Sequence, residues 1–114
     1  MFGLRLVGVR GRSMLPTLAD GDVLLVSRSG VRRRGRLAVV RLSADRPVAV
    51  KRLGVRDAEG WWAERDNPRE GTDSWQLGRA VPDADVLGLV VARVWPPPFR
   101  LPPGPSAAGP SGRG

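Results

Sequence analysis

The chain of 114 residues contains neither histidine nor cysteine. Covalent chemistry is then left to hydroxyl groups, and proton acceptance to carboxylates and amines. One serine stands out. Ser13 lies in the stretch GRSMLPTLADGD (11–22), beside Met14 and just ahead of Pro16 and an apolar run. A serine hydroxyl is a weak nucleophile until a base takes its proton. A Ser-His-Asp arrangement is impossible here, and a guanidinium stays protonated. A carboxylate or a neutral lysine remains, and Ser-Lys pairs are a recognised variant of triad logic.

The chain has 19 Lys and Arg residues, and Lys51 is the single lysine among them. It sits in PVAVKRLGV (47–55), where strand alternation places it on one face with Ala49 and Leu53. An apolar face disfavours the ammonium and lowers the lysine pKa, as a general base near neutral pH requires. The residues alone equally allow an exposed strand lysine that happens to be unique. Ser13 equally fits a capping serine in a turn before a strand. Gly11 permits close backbone approach, leaving room for a substrate carbonyl with backbone N–H groups as oxyanion donors.

These residues need elements to hold them. Residues 4–9, 22–28, 36–43, 48–55, 58–65 and 85–95 read as six short strands separated by turn signals. The third and fourth form a hairpin across ADRP, and the fifth pairs onward. Helix is scarce, at most a turn after Ser13, and 67–75 is loop-rich. The expectation is a mainly β, antiparallel domain over residues 1–95. From Pro96 the composition changes, with seven of the eleven prolines in 96–114. That segment is expected to be a disordered or polyproline-like tail.

Composition narrows the function classes. Without cysteine there is no disulfide, no thiol nucleophile and no thiolate metal site, and without histidine only carboxylates remain as metal ligands. No cofactor or metal is expected. No apolar run approaches the roughly 20 residues of a membrane helix, and no secretory signal is visible. The expectation is a cytoplasmic protein without a membrane anchor. A net charge of +8 suggests attraction to nucleic acid or anionic surfaces. However, no aromatics interleave with the run RSGVRRRGR (28–36), as a single-strand-binding platform would need, and solvated arginines account for the charge without a nucleic-acid partner.

SMLPTLADGD followed by a strand resembles the nucleophile box of the signal peptidase family of Ser-Lys proteases. VAVKRLG resembles its general-base box, and ERDNPREGTDSWQLGRAVP (64–82) its third box. The blocks occur in the family's order. The resemblance implies a coiled β-sheet or barrel of the kind shared with SOS-response repressors. It also implies Ser13 as nucleophile, Lys51 as general base and Ser74 as the hydroxyl that orients the amine. Gly11 and the Ser13 N–H would lie near the oxyanion, and Met14 would line the cleft. Asp66, Asn67 and Asp73 would hold the third-box loop. Four positions depart from the pattern: Arg65 replaces a glycine, Thr72 a serine, Trp75 an arginine and Leu77 an aromatic. The Trp75 change removes the expected ion-pair partner of a nearby carboxylate.

Shortness, a start close to the serine box, GWWAERDNP and TDSWQLGRAVPDADVLGLVVARVWPPP are similar to the maturation proteases of nickel-type superoxide dismutase. That narrower resemblance implies removal of a leader peptide from the dismutase precursor. Three other readings stay open: general signal-peptide processing, a self-cleaving regulator, and a basic β domain that binds nucleic acid. Only twelve residues precede Ser13, which leaves a self-cleaving regulator little room for an upstream cleavable segment. The sequence leaves the oligomeric state open.

Overall fold

The computed structural model describes residues 3–100. Six strands, β1 (Leu4–Gly8), β2 (Val23–Ser27), β3 (Leu37–Val40), β4 (Ala49–Asp57), β5 (Gly60–Glu64) and β6 (Val86–Trp95), form one antiparallel sheet. Each overlaps the run expected for it. A short helix α1 (Ser74–Leu77) and a 3-10 turn (Asp83–Asp85) are the only helical elements among the described residues. The domain is mainly β, as expected.

The sheet bends over two hydrophobic clusters. The first gathers Met14, Leu18, Leu24, Leu37, Val39 and Val50 among others. The second gathers Ala38, Val40, Leu53, Trp61, Ala63 and Leu89 among others. Strand β3 feeds both in alternation, Leu37 and Val39 to one and Ala38 and Val40 to the other. A strand covered on both faces reads as a continuous apolar run, which LAVV does. Register shifts interrupt β2 on β6, β3 on β6 and β4 on β5. Such irregularities bend a strand and increase its twist.

Strand order is β1-β2-β6-β3-β4-β5. The β3–β4 and β4–β5 hairpins are sequential. β6 instead returns from the far end of the chain to lie between β2 and β3. This leaves β4, with Lys51, one strand from the edge. Beyond β5, a bridge joins Trp61 to Val81. It requires Gly60 (φ 140°), because a Cβ there would collide with the Val81 carbonyl.

The expected boundary at 95/96 is crossed by structure. Arg93 and Arg100 exchange two backbone hydrogen bonds, so 96–100 turns back onto the end of β6. The rest of the expected tail, 101–114, lies outside the described residues.

Candidate active site

Lys51 stands mid-β4, opposite Ala38 of β3, and is only 3% exposed. Its Nζ donates a hydrogen bond to Ser13 Oγ at 2.8 Å, across 38 positions of sequence. Burial pulls the amine's pKa from 10.5 down to about 8; nearby Asp73 opposes this, Arg65 adds to it, and Asp66 opposes it. At pH 7 about one such amine in ten is neutral, against roughly one in three thousand for a free lysine. The same 2.8 Å contact then serves the reverse donation, from Ser13 O–H to the amine lone pair.

Ser13 rides on a loop that two segments hold. From below, Met14 is 1% exposed and packs in the first cluster. It therefore anchors the loop and does not line an open cleft, as the resemblance had implied. Its Sδ accepts the Asp66 N–H at 3.4 Å. From the side, the Asn67 N–H donates to the Ser13 carbonyl at 2.7 Å, and Asn67 Nδ2 to the Arg12 carbonyl at 2.8 Å. Asp66 accepts from Thr17 Oγ1 on one oxygen and from both Nε and Nη2 of Arg52. Arg52 also donates to the Gly35 carbonyl. Asp66 thus ties the serine loop to the strand that carries Lys51.

Two expected roles take a different form. The Gly11 N–H donates to Asp20 Oδ1 at 2.7 Å, so it is not a vacant oxyanion donor. Gly11 supplies a left-handed turn (φ 79°) with open space beside it. The Ser13 N–H donates to no acceptor among the described residues and is available to a developing oxyanion. Ser74 is fully buried, but its Oγ accepts the Ala63 N–H of β5 at 2.9 Å and makes no hydrogen bond to Lys51. In this geometry it fastens the start of α1 to the sheet. Asp73 caps α1 by accepting the Gln76 N–H, and its other oxygen accepts the Arg65 N–H.

Three residues of the site, Arg52, Thr17 and Gly71, were not singled out by sequence reasoning, and Arg65 was noted only as a departure from the family pattern. Arg52 and Thr17 hold Asp66. Arg65 donates to the Gly71 carbonyl at 2.5 Å. Gly71 (φ 83°) packs so closely on Ser13 that a Cβ there would collide with Ser13 Cβ. Arg52 had one available signal: a second charge beside Lys51 in the apolar part of a strand needs a buried partner. Trp75, which replaces an arginine, donates from Nε1 to Glu64 at 3.0 Å and stacks on Trp62 with ring centroids 4.3 Å apart. At this position an indole N–H therefore still donates to a carboxylate, that of Glu64.

Fold and site together define the class, a small mainly β domain with a buried lysine on a loop serine. A family model described as Peptidase S24-like matches residues 3–91, and the chain belongs to that family. The match covers both Ser13 and Lys51, and membership supports a serine-peptidase hydrolase. No curated protein matches the chain. Among the described residues there is no group of three or more potential metal-ligating side chains, and no helix long and apolar enough to cross a membrane.

Proposed function

We propose that the chain is a serine endopeptidase with a Ser13–Lys51 dyad. The observation that carries this is the 2.8 Å contact between Ser13 Oγ and a buried amine whose pKa is lowered to about 8. Ser13 Oγ attacks the scissile carbonyl carbon while Lys51 takes the hydroxyl proton. The oxyanion forms facing the Ser13 N–H. Lys51 then returns the proton to the leaving amine, and the acyl-enzyme remains. Water gives a proton to the same neutral amine, attacks the ester, and regenerates Ser13.

The substrate class rests on the resemblance: an N-terminal leader peptide of a precursor protein, with nickel-type superoxide dismutase as the first precursor to test. No metal is needed for this chemistry, and the reaction takes place in the cytoplasm. The test is co-expression with such a precursor, followed by N-terminal sequencing of the product. Ser13→Ala, Lys51→Ala and Lys51→Arg should each abolish processing while circular dichroism shows the fold retained. Processing by the Lys51→Arg protein overturns the mechanism, since a guanidinium cannot take the proton.

A further inference from the structure

Arg65 stands where the resembled family has a glycine, and its guanidinium is not spent in solvent. Its side chain is 15% exposed and Nη1 holds the Gly71 carbonyl, while Nε lies 3.8 Å from Asp73 Oδ2. The Arg65 backbone N–H also donates to Asp73 Oδ2 at 3.1 Å. Both partners bear on the dyad. Gly71 packs on the Ser13 side chain. Asp73 is the anion that acts most strongly on Lys51. Lys51 itself hydrogen-bonds Ser13 and neither carboxylate.

We propose that Arg65 is a positioning residue for the dyad, clasping Gly71 against Ser13 and occupying Asp73 so that this carboxylate does not capture the Lys51 amine. The inference rests on the Ser13–Lys51 reading. The charges that face Lys51 are Asp73 ahead of α1 and Asp66 and Arg65 beyond β5. Ser13 faces it from the nucleophile loop. Arg52 is engaged elsewhere, on Asp66 and Gly35. With Arg65 neutral, Asp73 is the nearest uncompensated anion, and an ammonium at position 51 becomes more favourable. A base that stays protonated to higher pH is a poorer base at neutral pH.

The chain's single lysine makes the test direct. Lysine labelled with ¹³C at Cε gives one side-chain signal from the full-length protein, and its pH titration reads Lys51 alone. In the native chain the midpoint should fall near 8, as the burial implies. Arg65→Gln should move it upward by more than about 0.3 unit. In an Asp73→Asn background the same substitution should lose most of its effect, because the carboxylate that Arg65 occupies is then no longer an anion. Arg65→Lys retains the cation. Its new lysine titrates as a separate signal, and the Lys51 midpoint should stay at the native value. An unchanged midpoint in Arg65→Gln overturns the proposal, as does an equal upward shift in Arg65→Lys. If Arg65→Gln does not fold, Arg65→Met, which keeps the stem and removes the cation, decides: a raised midpoint supports the clasp, and a native one overturns it. A purely structural Arg65 would leave the midpoint of every folded variant alone. The titration uses no substrate, so it stands whatever the Ser13→Ala processing test returns.

Discussion

A buried amine that titrates low makes stability depend on pH, and the size of the effect follows from the site. In the unfolded chain Lys51 titrates near 10.5, and in the folded chain near 8. Between those values the unfolded chain binds a proton that the folded chain does not. Stability therefore rises with pH across this window, and below pH 8 the fold carries the full cost of a buried ammonium. Integrated from pH 7 to 9.5, the gain is about 2 kcal/mol. Water reaching the amine past the half-buried Ser13 screens part of it, so ~1–2 kcal/mol is expected. Lys51→Met keeps the apolar stem and removes the titrating group. Urea unfolding of both proteins at the two pH values isolates the lysine, because every other group cancels in the difference. The methionine variant should be the more stable at pH 7, and its advantage should shrink by ~1–2 kcal/mol at pH 9.5. That corresponds to roughly 5–10 °C in relative Tm. Parallel pH profiles would refute the reasoning, since they would mean that Lys51 stays hydrated or fully ion-paired and no neutral base is made.

Peptidase activity should rise about tenfold per pH unit below pH 8 and level off above it, as initial rates on a processed precursor will show. A plateau reached below pH 6 would exclude Lys51 as the base. Gly71→Ala adds a methyl that meets Ser13 Cβ at a backbone conformation L-residues avoid. It should cost roughly 1–3 kcal/mol in urea unfolding and at least tenfold in rate. Trp75→Arg restores the resembled family's residue and gives Glu64 an ionic partner. Stability should stay within about 1 kcal/mol, and the exciton signal of stacked indoles should vanish from circular dichroism. A rate loss beyond tenfold would show that Trp75 touches substrate.

What the sequence revealed follows what kind of pattern each feature leaves. Strands β2, β3 and β4 were legible because turn residues bound their apolar runs, and both hairpins because short turns join neighbours. The position of β6 was not: period-two alternation says which face a residue takes, but not which strand lies beside it. The pairing of Ser13 with Lys51 came from the resemblance of their two boxes, and the lone lysine only made it conceivable. A chain that uses arginine at every other basic position marks its one titratable cation. Gly71 left no such mark, because a close approach between residues 58 positions apart depends on how two loops cross. Ser74 shows a limit of motif transfer: the motif located it near the site, while the structure turns its oxygen toward the Ala63 N–H. Trp75 shows a related limit, since the family pattern counted the change as a lost ion-pair partner, while the indole N–H donates to Glu64.

Lys51 and Arg52 are adjacent cations in one strand, and the fold sends them to opposite outcomes. Alternation points them to opposite faces, and both are buried. Arg52 meets a carboxylate with two parallel donors and reaches a carbonyl with a third, so its charge is compensated. Lys51 meets a hydroxyl, with its nearest carboxylates already taken by Arg52 and by the α1 cap and Arg65. The exchange of types would fail at both places. A lysine at 52 could not fork onto Asp66, and an arginine at 51 could not lose its proton. Because Asp66 also accepts from Thr17, the pair that compensates Arg52 fixes the distance from β4 to the serine loop. The charge that stays therefore sets the geometry in which the neighbouring charge can leave. This coupling explains how a small domain tolerates an uncompensated amine in its core: the ion pair beside it ties the serine loop to β4 and occupies a carboxylate near the amine.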